Sequence, residues 1–218
     1  MGRNKADGER GRTGERRDKK VRETERIIFS TSPTEPGRKR IPDFLRNMKN
    51  KNPIVEAIRG RRSVRQYTGE AVSDEVVNAV LESGSWAPSG KNNQPWKFAV
   101  IRDRVLKESL ASLTHSGSII REAPVCIAIF LDHSRVYDRT KDVQAVRACI
   151  QNMLLSIHSM ELGGVWLGEI LKNKEKVREL LNGGEDLELM AVVAFGHPAK
   201  RLTGGERDPF EENVFLRK

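Results

Sequence analysis

The sequence is poor in cysteine and in aromatic residues, and it lacks a long apolar run. Cys126 and Cys149 are its only cysteines, and they form neither a CxxC motif nor a spacing typical of metal ligands. Cys126 lies in an apolar stretch, which favours a small buried thiol over a disulfide and agrees with a reducing, cytoplasmic compartment. Without a stretch of some eighteen apolar residues, or an apolar segment after the basic N-terminus, the sequence predicts neither a membrane span nor a secretory signal.

The positive charge of the chain is concentrated near its start. Residues 1–50 contain 15 of the 39 Lys and Arg residues but only 8 of the 30 Asp and Glu residues. The rest of the chain is therefore nearly neutral, with 24 basic and 22 acidic residues. This distribution argues against a nucleic-acid-binding body, which would need a basic groove with interleaved aromatic residues.

Two regions of different character are predicted. Residues 1–50 are rich in Gly, Arg, Glu and Lys and read as a basic disordered extension, whereas residues 51–218 have enough apolar residues for one domain with a C-terminal arm from about residue 199. The extension has three interpretations. The first is a solvated tail. The second is an upstream stretch that is not translated, with Met48 as the first residue of the protein. The third is an arm that binds polyanions such as nucleic acid.

The hydrophobic patterns predict helices alternating with strands, as in a protein with a sheet between helices. Helices are expected from Pro53 to Gly60, after Ser73, and over residues 104–113, 142–162 and 174–181. Strands are expected over residues 96–101, 124–131, 165–168 and 188–195. The helix over residues 142–162 is expected to end at Gly163 and Gly164, and it is apolar on so much of its surface that it must be buried, within the chain or against a second subunit.

Two segments near the start of the domain carry polar groups suited to a ligand. Arg61, Arg62, Ser63 and Arg65 bring three guanidiniums and a hydroxyl into five residues, as a phosphate site needs, although a solvated basic patch has the same composition. The segment from Trp86 to Trp96 offers free backbone amides together with Asn and Gln side chains. These groups suit a ring with alternating donors and acceptors, such as the uracil-like edge of a flavin, but an ordinary polar loop also has them.

Two further segments are less specific. The glycines in residues 163–168 would allow the backbone to approach a planar ligand, although a helix end followed by a tight turn explains them equally well. The basic residues Lys200, Arg201 and Arg207 precede Asp208-Pro209-Phe210 and by themselves indicate only a charged surface.

In this order and spacing, the four segments resemble the nitroreductase-like family of FMN-dependent oxidoreductases. The resemblance runs from about Asn52 to Phe215. Its motifs are RRSVRQY at residues 61–67, WAPSGKNNQPW at 86–96, AVRACIQNMLLSIHSMELGGVWLG at 145–168, GHPAKR at 196–201 and RDPFEE at 207–212.

The resemblance implies an α+β fold, a nitroreductase-like sandwich in which a central mixed sheet is flanked by helices. It also implies an intertwined homodimer, with the long helix in the interface and the terminal arms wrapped over the partner. Two FMN molecules would lie in that interface, each contacted by both chains.

Matching the family motif residue by residue implies a set of FMN contacts. Arg61, Arg62, Ser63 and Arg65 would hold the phosphate, the ribityl chain and the pyrimidine edge, with Arg65 near N1 and O2. Pro88, Ser89 and Gly90 would come from the other subunit, with Asn92 and Gln94 near the ring. Leu167 and Gly168 would face N5 and O4, and Arg207, with Arg201 as the rival, would contact the phosphate.

The activity implied is ping-pong hydride transfer from NADH or NADPH through the flavin N5 to a small acceptor such as a nitroaromatic or a quinone. The cofactor carries out the chemistry, so neither a catalytic acid or base nor a metal ligand is assigned to the chain. The alternatives are a reductive dehalogenase or a flavin-modifying member of the same fold, a non-enzymatic FMN-binding protein, and an interaction protein without a cofactor.

Overall fold

The computed structural model describes residues 52–200 and 202–218. The expectations for residues 1–50 and for Arg201 therefore lie outside the described residues. The helices of the described part are α1 (Pro53–Gly60), α2 (Asp74–Ser85), α3 (Arg104–Ala111), α4 (Gly117–Glu122), α5 (Arg139–Ser159) and α6 (Lys174–Leu180). The strands are β1 (Trp96–Ile101), β2 (Val125–Asp132), β3 (Gly163–Leu167) and β4 (Leu187–Gly196).

The four strands form one sheet in the order β1-β2-β4-β3. Every neighbouring pair of strands is antiparallel, and the register of β2 against β4 shifts between Ile129 and Phe130. A mixed sheet was expected. Within the described residues, its parallel component is limited to an isolated bridge between Ser63 and Gly164.

Both faces of the sheet are covered by helices, which confirms the predicted sandwich. Alternate residues of β2 point to opposite faces, as strand geometry requires. Ile127 and Ile129 pack with α2 and α5, whereas Ala128 and Phe130 pack with residues of α3, α4 and α6. Because every residue of β2 is buried, its unbroken apolar sequence is explained by cover on both sides.

The long helix differs from its expected position by about one turn. It spans Arg139–Ser159 instead of residues 142–162 because the Asp138 side chain caps its N-terminus, accepting a hydrogen bond from Lys141 N at 3.1 Å. The chain leaves the helix through Glu161, whose φ is 61°. The prediction that Gly163 and Gly164 end the helix is wrong, since both lie in β3 and neither has a positive φ.

The expected burial of the long helix is confirmed, and its partners lie within the chain. Its apolar residues other than Leu155 belong to the core shared with α2 and the sheet, whereas Gln144, Arg147 and Gln151 are exposed. Exposed apolar side chains occur elsewhere, among them Ile54 and Ile58 on α1, which are 67% and 53% exposed, Trp86, Val105 and several residues of the C-terminal segment. None of the helices formed by the described residues is both long and apolar enough to cross a membrane.

Glu188 on β4 pairs with basic side chains from three other segments of the chain. Its carboxylate accepts hydrogen bonds from Arg139 Nη2 at 2.8 Å and Lys174 Nζ at 3.2 Å, and it lies 3.0 Å from His133 Nε2. These groups line a cleft of about 350 Å³. Hydrogen bonds from Arg139 and Lys174 lower the pKa of Glu188 to about 2, although partial burial opposes the shift. The ionised carboxylate therefore stabilises the packing of α5 and α6 at this end of the sheet.

Replacing Glu188 by Gln is expected to lower the free energy of unfolding at pH 7 by about 1–3 kcal/mol. Because the pKa of Glu188 is lower in the folded state than in the unfolded state, its contribution is present above about pH 4.5 and is lost as the pH falls towards 2. Urea unfolding of both proteins between pH 7 and pH 3 measures the difference. The control is Glu185→Gln, an exposed carboxyl in the same cleft. A difference that does not shrink in acid would contradict the assignment.

Candidate functional site

The segment from Arg61 to Tyr67 is fixed to the edge of the sheet. Val64 N donates a hydrogen bond to Gly164 O at 3.1 Å. The buried Tyr67 hydroxyl lies 2.9 Å from Val64 O and 3.0 Å from Ala194 O, and its burial raises the pKa of the phenol. With Val64 and Tyr67 in the core, the polar residues between and before them remain at the surface.

A close approach of two backbones makes this docking possible. A Cβ atom added to Gly163 would lie 2.6 Å from the Val64 Cβ, too close for any side chain. The glycine pair therefore serves the contact between the arginine segment and β3. The same strand leads to Leu167, which is buried, and to Gly168, which is exposed at the start of a 3₁₀ turn, Glu169–Asn173. The first and third segments singled out in the sequence thus lie next to each other.

Guanidinium groups gather at this edge without carboxylate partners. The pKa of Arg61 is lowered by burial and by the nearby charges of Arg62 and Arg207. Within residues 52–200 and 202–218, none of the ion pairs involves these three arginines or Arg65. Like charges held together without compensation favour the binding of an anion. Arg207 therefore joins the cluster that the sequence placed at Arg61.

The arginines of the segment differ in their contacts. Arg62 donates from Nη1 to the carbonyl oxygens of Arg59 and Arg61 at 2.6 and 2.8 Å, and from Nε to Gly204 O, so it ties the end of α1 to the C-terminal segment. Arg65 is exposed, and its side chain makes one long hydrogen bond within the described part of the chain, to Ser63 O at 3.3 Å. Within the described part of the chain, Arg61 and Arg65 therefore use fewer of their N–H groups in hydrogen bonds than Arg62 does.

The second polar segment is a loop between α2 and β1. Pro88 and Asn92 are exposed, whereas Ser89, Gly90 and Gln94 are half-buried. The Ser89 hydroxyl accepts a hydrogen bond from Gln94 N at 3.1 Å, which closes the loop. Of the hydrogen bonds and ion pairs in the described part of the chain, none connects this loop to the arginine segment. One copy of the chain therefore does not bond the two groups to each other.

The loop has an unusual backbone. Lys91, Asn92 and Gln94 have φ values of 55°, 53° and 46°, in the left-handed region that residues other than glycine rarely adopt. Each such residue costs of order 1 kcal/mol unless its surroundings impose it, and such strain is concentrated at ligand-binding and catalytic sites. The loop is therefore held in a conformation that its sequence alone disfavours.

A buried carboxylate holds the loop in place. Asp142, on the first turn of α5, is fully buried, and its side chain accepts hydrogen bonds from Asn93 Nδ2 at 2.8 Å, Tyr137 N at 3.0 Å and Asp138 N at 3.1 Å. Asn93 Nδ2 also donates to Arg135 O at 2.9 Å. Asp142 and Asn93 were absent from the sequence-based site. The available signal was a second acidic residue, four positions after Asp138, on a mainly apolar helix.

A second carboxylate accepts hydrogen bonds just after the C-terminal end of β3. Glu169, directly after Gly168, accepts hydrogen bonds from the Thr114 hydroxyl at 2.6 Å and His115 N at 3.1 Å. The hydrogen bond from Thr114 is the largest cause, and that from Lys172 the next, of the lowering of its pKa to about 2. Glu169 thus remains ionised at neutral pH and ties the segment before α4 to the end of β3. The sequence reading did not find this residue either.

Replacing Asp142 by Asn is expected to destabilise the protein by about 1–3 kcal/mol and to loosen the loop of residues 89–94. Its amide would face the Asn93 amide instead of accepting from it, leaving a buried donor unpaired. Urea unfolding measures the stability, and amide hydrogen exchange measures the loop. Glu179→Gln, the same kind of change at an exposed position of α6, is the control and is expected to alter stability by less than about 0.5 kcal/mol. Unchanged exchange in the loop would contradict the role of Asp142.

Known proteins match this chain over most of the described part. The nitroreductase family model matches residues 58–119 and 111–197. A protein named "Putative NADH dehydrogenase/NAD(P)H nitroreductase" from Methanothermobacter thermautotrophicus is 32% identical over 172 residues, which cover 78% of this chain and 89% of that protein. The FMN reductase [NAD(P)H] of Bacillus subtilis is 26% identical over 178 residues, covering 73% of this chain and 72% of its own.

A solved structure matches this chain in both sequence and fold. The crystal structure from Desulfovibrio desulfuricans described as a "putative nitroreductase in complex with FMN" is 46% identical, with a TM-score of 0.74, and the match covers 77% of this chain and 98% of that one. Its fold agrees with the helix-flanked antiparallel sheet found here, and the family match extends from α1 to the end of β4. On the family match and on this likeness in sequence and fold, the chain belongs to the nitroreductase family.

Proposed function

We propose that this chain is an FMN-dependent NAD(P)H oxidoreductase that reduces a small acceptor such as a nitroaromatic or a quinone. The observation that carries the proposal is the arginine segment docked beside β3 by the hydrogen bond from Val64 N to Gly164 O, with Arg62 bonded to the C-terminal segment and the charge of Arg207 near enough to lower the pKa of Arg61. The mutual repulsion of these groups would be relieved by a phosphate dianion, which arginines bind in a bidentate manner. The FMN bound to the Desulfovibrio relative supports the choice of ligand.

The other FMN contacts are proposed from the residues that lie beside the arginine cluster. Arg61, Arg62, Ser63 and Arg207 would hold the phosphate and ribityl chain, while the exposed Arg65 would place a positive charge at the N1 and O2 side of the ring. Leu167 and Gly168 would face N5 and O4, where exposed backbone after β3 can approach a planar ring closely. Bound FMN would supply hydride transfer through N5, and the residues named here would bind and orient it.

The other half of the site is proposed to come from a second copy of the chain. Pro88, Ser89, Gly90, Asn92 and Gln94 belong to a strained, well-anchored loop that one copy does not bond to the arginine segment. A homodimer would bring the loop of one copy to the arginines of the other.

Exposed apolar side chains support the same assembly. No residue of α1 is buried, and Phe215 in the C-terminal segment is 99% exposed. A soluble chain gains stability by covering such surface, and a partner copy would bury α1 and the arm at once. The outward side of α5, with Gln144 and Gln151, would add polar contacts to that interface.

NADH or NADPH is proposed as the electron donor because several relatives carry these cofactors in their names, among them the NADPH-flavin oxidoreductase of Vibrio harveyi, 28% identical over 159 residues. Donor and acceptor would use the same face of the ring in turn, which is ping-pong turnover. The cytoplasm is the compartment that we infer, since Cys126 and Cys149 are both free thiols.

Arg61→Ala is expected to weaken FMN binding about 10-fold to 100-fold, since the phosphate would lose a charge-assisted hydrogen-bonding partner. The dissociation constant can be measured by quenching of flavin fluorescence as apoprotein is added. Arg104→Ala removes an exposed arginine of α3 and serves as the matched control. Equal affinity of the Arg61 variant and the control would rule out Arg61 as a phosphate ligand.

Ping-pong turnover predicts parallel lines when reciprocal initial rates are plotted against the reciprocal NADPH concentration at several acceptor concentrations. The physical reason is that donor and acceptor never occupy the site together. The assay follows NADPH oxidation with a nitroaromatic or a quinone as acceptor. Intersecting lines would show that both bind at once, and the absence of oxidation with either acceptor would argue against the proposed activity.

A further inference from the structure

The ammonium groups of two lysines lie close to the ring of Tyr137. The Lys91 ammonium is 5.0 Å and the Lys141 ammonium 5.4 Å from the centroid of its ring, both within the range of cation–π attraction. Tyr137 is 40% exposed, so a ligand can reach its side chain. Tyr137, Lys91 and Lys141 together are called the Lys–Tyr patch below.

The Lys–Tyr patch borders the loop proposed to contact FMN. A Cβ atom added to Gly90 would lie 1.8 Å from the Tyr137 hydroxyl oxygen, which places that hydroxyl directly against the loop backbone. Lys91 is itself part of the loop, in the left-handed conformation described above. A ligand on the patch would therefore lie beside the loop that carries Ser89, Gly90 and Asn92.

The backbone segments that carry the patch are fixed by hydrogen bonds. Asp142 accepts the backbone N–H of Tyr137 at 3.0 Å and the side chain of Asn93 at 2.8 Å. The same buried carboxylate therefore fixes both the segment that carries the ring and the loop that carries Lys91. Binding to such a preorganised surface loses less conformational entropy than binding to mobile side chains.

The patch has an excess of positive charge. Lys91 makes no ion pair with any residue of the described part. Lys141 pairs with Asp138 at 3.6 Å, but both side chains are exposed, so the pair is weak and screened. The carboxylate of Asp142 is buried beneath the patch and already accepts three N–H groups. The surface that a ligand meets is therefore an aromatic ring with two ammonium groups, one of them paired with the exposed carboxylate of Asp138.

We propose that the Lys–Tyr patch selects acceptors that carry an anionic group on an aromatic ring, such as aromatic carboxylates. The inference rests on the proposed function, because it gives the acceptor class for the same site. Tyr137 offers a surface for the ring, and Lys91 and Lys141 attract the negative charge. An acceptor of the same shape without the charge would lack the second interaction.

The test compares 4-nitrobenzoate with the neutral 4-nitrobenzamide as acceptors of the holoenzyme. The ratio of their kcat/KM values is measured for the wild type and for Lys91→Gln, so that differences in intrinsic reactivity cancel. The ratio is expected to fall about threefold to tenfold in Lys91→Gln and to be retained in Lys91→Arg, which keeps the charge. Raising the salt concentration should reduce the wild-type ratio. The control Lys176→Gln, an exposed lysine on α6, should leave the ratio unchanged.

A binding measurement separates this inference from the proposed function. Benzoate and benzamide are not reduced, so calorimetric titration of each into the purified protein reports recognition alone. Benzoate should bind more weakly to Lys91→Gln than to the wild type by a factor similar to that in the kinetic ratio, whereas Lys176→Gln should bind it as the wild type does.

Each outcome decides one question. If no nitro compound is reduced but benzoate binding depends on Lys91, the proposed activity fails and the patch stands. If the kinetic ratio and benzoate binding are the same in wild type and Lys91→Gln, the patch does not recognise the anion. If Lys91→Gln changes only the KM for NADPH, the lysines serve the phosphate groups of the donor, and the inference about the acceptor is overturned.

Discussion

The contact between Val64 and the glycine pair of β3 is the constraint on which the candidate site depends. Because Gly163 has no side chain, Val64 can lie directly against it. The segment from Arg61 to Tyr67 can then join the sheet edge and form its hydrogen bond to Gly164. This docking turns a run of basic residues in sequence into guanidiniums with a fixed relation to Leu167 and Gly168. A larger residue at position 163 would separate the phosphate end of the proposed site from its ring end.

The second constraint lies on the other side of the sheet, where Asp142 is the buried acceptor for a strained loop. Three left-handed residues within four positions would not persist in an isolated peptide, and the hydrogen bond from Asn93 helps the fold to impose them. The same carboxylate positions Tyr137. The loop proposed to meet the flavin and the ring proposed to meet the acceptor are thereby stabilised by one buried group.

Much of the fold was predictable from the sequence because it depends on local patterns. The unbroken apolar run of β2 indicates a central strand, and Ser73 precedes the helix that it caps. The helix over residues 142–162 was misplaced because its first turn is polar. The role of Gly163 was misread because its cause, Val64, is distant in sequence. Asp142 escaped notice because acidic residues are common near helix N-termini and its partners, Asn93 and Tyr137, lie on other segments.

The central claim is that FMN lies between two copies of the chain, with its phosphate at the arginines of one copy and its ring against the loop of the other. Sedimentation of the purified protein, recorded at the visible absorption band of the flavin, tests this most directly. The claim predicts that the colour sediments with the mass of two chains, each of 24.6 kDa, and that about one flavin is bound per chain. Colour that sediments with a single chain, or a colourless dimer that takes up no added FMN, would contradict it.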